Sequence, residues 1–509
     1  MNFESNIKSL GFCETVFETA TEQSVECEFT LPDYCPEIKR IIKCSLKANV
    51  TSVQKSEGKV NAQVNACVRI IYIGENNKIS AYEQVQPVQK IFESDKIKND
   101  SVVCVRVNTD YVNCRATSPR KVDIKAMLSF VFKMIRKGSE SYLVSAEGCG
   151  IQTLEKDYTY CDLKAVCEKS FNLTEVAEIP SDKSAVARII DSSAFISVSS
   201  TKIINNKMLL KGDCFIRICY LSDSDFNVET TEHSIPVSQI IDIDGISDTC
   251  ETNLDINITA CETFSKIDSS GENRFVDINI RASVIITAFE NSDITLIKDM
   301  YSTSFITDSS SKYINVLSKN TDFNNTFTNK VTLESIGISV EKVCTVWCED
   351  LKNTYSFNNG NCVIKGSYQV NILYYETEKQ IGIIQKTVEF EYGVELKEEA
   401  ENVVCYPSLQ LGACSCALQG ESRLELKTEI FMSGKVLSVK KVRCISSAQV
   451  SDEIDKKDDC ALTIYFSDSD EKVWDIAKKY KTSVSAVMQE NELDSDIVEN
   501  KRILLIPSV

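Results

Sequence analysis

The chain has 509 residues, 43% of them hydrophobic and 26% charged, with 17 Gly, 8 Pro and a formal net charge of -18. Such a composition fits three or four folded domains and excludes a fibrous or broadly disordered chain. Its acidity repels nucleic-acid phosphates and anionic lipid, so no nucleic-acid partner is expected.

The opening from Met1 to Lys8 has neither the basic nor the apolar region of a secretory signal. No apolar run approaches the roughly 18 residues of a membrane span. The expectation is a cytoplasmic chain that is not an integral membrane protein. Its 22 cysteines include no Cys-x-x-Cys and are joined by one histidine, His233. A zinc site is therefore poorly supported. Buried reduced thiols are the plain reading, with latent cross-linking thiols as the sharper one.

In chain order, Cys35-Pro36-Glu37-Ile38-Lys39-Arg40-Ile41-Ile42 reads as a short helix with Pro in its first turn. Val64, Ala66, Val68, Ile70 and Tyr72 then recur at every second position, the period of a strand with one face on a core. Arg120 to Ile124 opens a further strand. The series starts again with a helix-like stretch from Ser181 to Ile190. Alternation returns at Gly212, Cys214, Ile216, Ile218 and Tyr220, followed by Arg274 to Ile278. A third copy has a diverged opening near Leu333 to Val343, alternation at Gly366, Tyr368, Val370, Ile372 and Tyr374, and a later strand at Arg423 to Leu426.

The anchor tyrosines are 148 and 154 residues apart. Fourteen residues before each lies Gly58, Asn206 or Gly360, residue types that tolerate the positive φ of a tight hairpin. Polar turns follow them at Glu75-Asn76-Asn77, Ser222-Asp223-Ser224 and Glu376-Thr377-Glu378. From anchor tyrosine to Ile124, Ile278 and Leu426 the spacings are 52, 58 and 52. Agreement in turns, strands and spacing predicts a mainly β protein of three tandem antiparallel β-sandwich-like repeats or half-open barrels. The repeats are placed at 1–148, 149–300 and 301–450. Cys104 and Cys114, Cys250 and Cys261, and Cys405 and Cys414 fall at similar phases. On one extended strand the members of a pair lie about 33 Å apart, too far to bridge.

An acidic stretch, 451–459, reads as a flexible tether. Residues 460–509 then predict a strand (Leu462 to Phe466), a helix capped by Asp470, a helix capped by Ser483 and a closing strand (Ile503 to Pro507). Val473, Ala477 and Tyr480 share a face of the first helix. Val484, Val487 and Met488 face inward from the second.

Leu31-Pro32-Asp33-Tyr34-Cys35-Pro36-Glu37-Ile38, with the alternating strand that ends at Tyr72, resembles the SPOCS domain of clostridial sporulation proteins. Repeat 2 keeps a trace of that opening in Ile179-Pro180-Ser181-Asp182. The βααβ order of 460–509 resembles LysM, with Ser469-Asp470 where Gly-Asp is usual and Asn500 where Gly is expected. By that resemblance the ligand lies between the loops Ser467–Lys472 and Asp494–Val498, both acidic here. The implied partner- or glycan-binding residues are Ser469, Asp470, Glu471, Lys472, Asp494, Ser495, Asp496 and Ile497. Tyr465, Trp474 and Tyr480 are expected in the core rather than as sugar platforms.

The combination is similar to clostridial spore-envelope morphogenetic proteins that partner the coat-basement ATPase. It implies a scaffold at the forespore surface, in the mother-cell cytoplasm, that recruits a coat-morphogenetic ATPase or other coat proteins. Self-association is left open. The alternative is an anchor to peptidoglycan or cortex glycan. No catalytic site, cofactor or metal is expected: there is no Gly-x-x-x-x-Gly-Lys loop and no nucleophile elbow. His233 reads as a solvated surface residue, and the acids Asp242 and Asp244 as a solvated strand edge.

Overall fold

The computed structural model describes residues 3–224, 227–269, 271–334, 340–376, 380–419, 423–454 and 462–507. Repeat 1 comprises β1 (Glu4–Thr30), β2 (Ile38–Ser56), β3 (Lys59–Gly74), β4 (Ile79–Glu93), β5 (Val102–Ser118) and β6 (Lys121–Glu147). Repeat 2 comprises β7 (Ile151–Glu178), β8 (Val186–Ile204), β9 (Lys207–Ser222), β10 (Val228–Asp242), β11 (Glu251–Lys266) and β12 (Phe275–Ser302). Repeat 3 comprises β13 (Phe305–Glu334), β14 (Val340–Asn358), β15 (Asn361–Glu376), β16 (Ile381–Val394), β17 (Val403–Gln419) and β18 (Arg423–Glu453).

Strand order is the same in all three. The second, third and fourth strands form one antiparallel sheet with the third strand central. The first, sixth and fifth form the other, with the sixth central. The two sheets of each repeat face each other over a core of that repeat alone: Val68, Ile70 and Phe130 in the first, Ile216, Ile218 and Ile278 in the second, Val370, Ile372 and Leu426 in the third.

In repeats 1 and 2 the anchor tyrosine ties its sheet to the opening of the repeat. Tyr72 donates to the Pro36 carbonyl at 3.1 Å and Tyr220 to the Ser184 carbonyl at 3.2 Å. Arg120 and Arg274 occupy equivalent places, donating to the carbonyls of Pro32 and Lys183 at 3.2 and 3.1 Å. The hairpin turns follow the residues that allow them: φ is +77° at Gly58, +60° at Asn206 and +79° at Gly360. Cys104 and Cys114 lie on the one strand β5, and Cys405 and Cys414 on β17.

Three local expectations fail. The helices at Cys35–Ile42 and Ser181–Ile190 are instead turns, Cys35 N–H to Pro32 at 2.9 Å and Lys183 N–H to Pro180 at 2.9 Å, that lead into β2 and β8. The β-branched residues Ile38, Ile41 and Ile42, and Val186, Ile189 and Ile190, favour the pleated sheet offered by β3 and β9. At Leu333 to Val343 the described ends belong to β13 and β14, and 335–339 lie outside the described residues, as do Thr377 and Glu378. Ser451, Asp452 and Glu453 are the end of β18, with Glu453 opposite Phe305, rather than tether. Residues 455–459 lie outside the described residues.

The sandwiches pack against one another through a second set of apolar positions. Ile71, Cys219 and Leu373, each one residue before an anchor tyrosine, point away from their own core. They meet in a shared cluster with Ile79, Ile190, Leu221 and Trp347. A second cluster joins the other three sheets through Leu10, Tyr142, Tyr160, Phe289, Ile314 and Leu437. Ion pairs cross every junction. Lys47 and Arg69 meet Asp191 at 3.0 and 2.6 Å between repeats 1 and 2. Lys319 and Lys435 meet Glu251 at 2.6 and 2.5 Å between repeats 3 and 2. Lys43 meets Glu349 at 2.5 Å between repeats 1 and 3.

Burial alone would raise the Asp191 carboxyl, but Lys47 and Arg69 outweigh it and hold it below the usual range. A depressed carboxylate adds stability above its unfolded value of about 3.9, and that stability is lost as pH falls through the native value. Asp191→Ala leaves two cations facing an interface without their partner. We expect it to cost about 3–5 kcal/mol, read as a lowered thermal midpoint at neutral pH. The difference between variant and wild type should shrink below about pH 4. An unchanged midpoint at pH 7 would contradict this assignment.

Candidate functional site

The C-terminal module comprises β19 (Leu462–Phe466), β20 (Glu471–Lys472), α1 (Val473–Tyr480), α2 (Val484–Glu490), β21 (Ile497–Val498) and β22 (Ile503–Pro507). β19 pairs with β22, and alternation on both strands sends Leu504 and Ile506 into a core with Val473, Ala477 and Val487. Ser483 caps α2 by accepting from the Ala486 N–H at 3.1 Å. Asp470 does not cap α1. The N-cap falls two residues later, at Lys472, and Asp470 takes φ +62° in the preceding turn. Asp is one of the few non-glycine residues that accept this conformation readily.

The two expected binding loops are brought together. Glu471 pairs with Val498 and Lys472 with Ile497 in the short β20–β21 ladder. Asp470 N–H reaches the Val498 carbonyl and Val473 N–H the Asp496 carbonyl, both at 2.8 Å. Ser469, Asp470, Lys472, Asp494, Ser495, Asp496 and Ile497 are all exposed along this seam. Glu471 is half-buried: its carboxylate accepts from the Tyr465 hydroxyl at 2.7 Å and from the Asp468 N–H at 3.1 Å. That leaves Glu471 as a support of the loop more than a contact residue. Asp468 is joined at the surface by Lys501 at 2.8 Å.

Of the three aromatic residues, Tyr465 and Tyr480 form an edge-to-face pair at 5.6 Å and are half-buried. Trp474 is buried, but against the body of the protein. It packs edge-on to Tyr301 at 5.0 Å, and its indole N–H donates to Asp299 at 3.0 Å. Lys478 also reaches Asp299, at 2.6 Å, and the Tyr301 hydroxyl donates to the Thr482 carbonyl at 2.7 Å. Asp299 and Tyr301 carry no sequence signal for this role. They are a polar-apolar alternation near the end of β12, like many others.

A second face of the module is apolar and open. Leu462, Ile464 and Phe466 on β19 lie opposite Pro507, Leu505 and Ile503 on β22, and all but Pro507 are exposed, Phe466 to 73%. Soluble chains seldom leave so continuous an apolar face without a use for it. Deeper in the molecule, where the three repeats meet, there are cavities of about 910 and 650 Å3. The larger is lined from all three repeats, by Lys47 and Arg69, by Ser192 and Arg217, and by Trp347 and Glu349.

Residues 37–117 and 185–264 match the family model described as SipL, SPOCS domain, and residues 469–507 match the LysM domain model. The chain carries SPOCS domains and a C-terminal LysM domain. The SPOCS matches run from β2 to β5 and from β8 to β11, so each spans one whole sheet and the neighbouring edge strand of the other. Repeat 3 lies outside the SPOCS match but repeats its strand order. No curated protein and no solved structure matches the chain. SPOCS and LysM are not catalytic families, and together they mark a sporulation-related protein whose LysM module is of a peptidoglycan-binding kind.

The residues that might suggest chemistry sit elsewhere. His233, expected on a solvated surface, is half-buried in β10, where burial and Lys183 hold its ring below the ordinary histidine value. Asp242 and Asp244 are exposed, and Asp242 pairs with Lys207 at 3.1 Å. Among the described residues no group of His, Cys, Asp and Glu is arranged to hold a metal ion, and no helix is long and apolar enough to cross a membrane.

Burial resists ionisation of Asp299, but Lys478 and the Trp474 indole outweigh it and keep the carboxyl below the usual range. Charge-assisted hydrogen bonds contribute about 1.5–3 kcal/mol, less where solvent screens the pair as here. In Asp299→Ala we expect the LysM module to loosen from β12 by about 1–2 kcal/mol. Hydrogen exchange should then quicken through α1 and stay unchanged in β9. Unaltered α1 exchange would show that Asp299 does not hold the module.

Proposed function

We propose that this chain is a non-catalytic scaffold of spore-envelope assembly that recruits a coat-basement partner, such as the coat-morphogenetic ATPase, through its LysM module. The SPOCS repeats form the body and the mother-cell face of the forespore is the place of action. The observation that carries this reading is the open apolar face formed by Ile464, Phe466, Ile503 and Leu505. Aliphatic and phenyl side chains offer no hydrogen bonds to sugar hydroxyls. They do suit the dry centre of a protein–protein interface, where a few such anchors supply most of the affinity. The acidic seam beside it, with Asp470, Asp494 and Asp496 exposed, gives a polar rim of one sign that would favour a basic partner surface.

A second reading remains in play because the β20–β21 ladder draws the two loops into the arrangement a glycan site requires. In that case the module anchors the chain to peptidoglycan or cortex. Against it, Trp474 is occupied by Tyr301 and Asp299 and is not free to stack on a sugar.

The two readings separate in one set of binding measurements on the full chain. With purified coat-basement ATPase, Phe466→Asp and Ile464→Asp should each weaken binding by about tenfold or more, the loss typical of an interface anchor. Their thermal midpoints should not fall, because both side chains are already in water. Substitutions at Lys472 and Ile497 should have the same sign with smaller size. Sedimentation with purified peptidoglycan should be weak and indifferent to Phe466→Asp. Strong glycan binding that disappears with Asp470 or Asp496 substitutions, while ATPase binding is unaffected, would favour the anchor instead.

A further inference from the structure

The cysteines fall into a pattern once the sheets are in place. In repeat 1, Cys44 on edge strand β2 and Cys114 on β5, the edge strand of the facing sheet, pack against the same core and interact. In repeat 3, Cys348 on β14 and Cys414 on β17, the corresponding two strands, pack against the same core and interact. The latter pair also shares one buried hydroxyl: Cys348 Sγ lies 3.7 Å and Cys414 Sγ 3.4 Å from Thr428 Oγ1. In repeat 2, β8 has no cysteine, and Ser192 donates to the Cys261 carbonyl at 3.5 Å across the same junction. Cys362 and Cys405 are also in contact, but both are sealed in the core of repeat 3.

Access separates these pairs. Cys348 and Cys414 line the 910 Å3 cavity at the junction of the repeats, and Cys44 lines the 650 Å3 cavity. A small reagent entering along the junction meets one thiol of each edge pair without unfolding the sandwich. Neither Cys362 nor Cys405 lines either cavity.

We propose that Cys44–Cys114 and Cys348–Cys414 are latent disulfides that clamp the two sheets of repeats 1 and 3 together when the protein meets a low-molecular-weight disulfide. Closing either pair into a bond of about 2.05 Å brings the two sulfurs together by side-chain rotation across the β2–β5 or β14–β17 junction. In repeat 3, the Cys414 thiolate attacks one sulfur of the reagent, forming a mixed disulfide and releasing one small thiolate. Cys348 then loses its proton to solvent and attacks the Cys414 sulfur. The protein disulfide forms, and the second small thiolate leaves. Two cysteine sulfurs are oxidised and the reagent is reduced to two thiols. Cys414 lines the cavity beside Thr428, and its interaction with Cys348 lowers its thiol from the ordinary value although burial opposes this, so Cys414 is the first nucleophile. The bond closes the axial edge of the sandwich, where β2 meets β5 and β14 meets β17.

The test is exposure of the full chain to oxidised glutathione under native conditions, alkylation of remaining thiols, and peptide mapping without reduction. Each bond lowers the mass of the intact chain by about 2 Da relative to the dithiol. Linked peptides Cys44–Cys114 and Cys348–Cys414 should predominate, within single chains, and Cys362 and Cys405 should stay reduced. The oxidised chain should melt several degrees higher, and reduction should reverse the shift. Cys348→Ser should lose the second linkage and keep the first, so that a failure of one variant to fold leaves the wild-type map decisive. Full alkylation of all four thiols after exposure would overturn the proposal. So would linkage of Cys27 with Cys114 in place of Cys44, or equal oxidation of Cys362 and Cys405.

Discussion

The architecture depends on the second face of the central strands β3, β9 and β15. One face of each closes the core of its own sandwich, as in any two-layer β fold. The other carries Ile71, Cys219 or Leu373 next to the anchor tyrosine, and these are covered only by the neighbouring repeats. A single repeat would expose them to water, at a cost of about 1.5–3 kcal/mol for each large side chain. Three copies remove that exposure together. The same geometry brings Asp191, Glu251 and Glu349 to cations of other repeats. A buried ion pair contributes little net stability against an apolar alternative, but it penalises a wrong register severely. The charges therefore fix how the sandwiches dock, and the apolar clusters supply the drive.

The LysM module is part of this construction rather than a loose appendage. Trp474 and Lys478 on α1 meet Asp299 on β12, and Tyr301 reaches the end of the helix. That contact consumes the aromatic ring and one face of α1. It leaves the outer face of β19 and β22 and the acidic seam free. A module held in this way presents a fixed surface, which reduces the orientational entropy lost when a partner binds. This suits a scaffold, whose work is to hold surfaces at set positions.

The thiols show how local chemistry follows from the sandwich. Cys44 and Cys114 are 70 residues apart in sequence, and only the approach of β2 to β5 makes them neighbours. Repeat 2 builds the same junction with Ser192, so a thiol pair is not needed to form the fold. Along the junction, free backbone groups of edge strands are met by polar side chains. Gln410 does this for Ile196, accepting from its N–H at 2.9 Å and donating to its carbonyl at 2.8 Å.

Much of the strand framework was legible in the sequence because period-two alternation and turn residues are local signals. Tyr72, Tyr220 and Tyr374, with Gly58, Asn206 and Gly360 fourteen residues earlier, were enough to mark three equivalent sheets. The helix–strand order of the LysM module was legible for the same reason, and so was the pairing of its two loops by family resemblance. The openings at Cys35 and Ser181 were misread because a short apolar run with proline looks alike in helix and strand until a neighbouring strand is available to pair with it. Ile71 and Leu373 carried no signal of their role, since nothing local says what covers a second face. The docking of Trp474 on Asp299, the charge network between repeats and the meeting of Cys348 with Cys414 join residues separated by 66 to 306 positions. Contacts at such range are fixed by how whole sheets pack, and only the tertiary structure decides them.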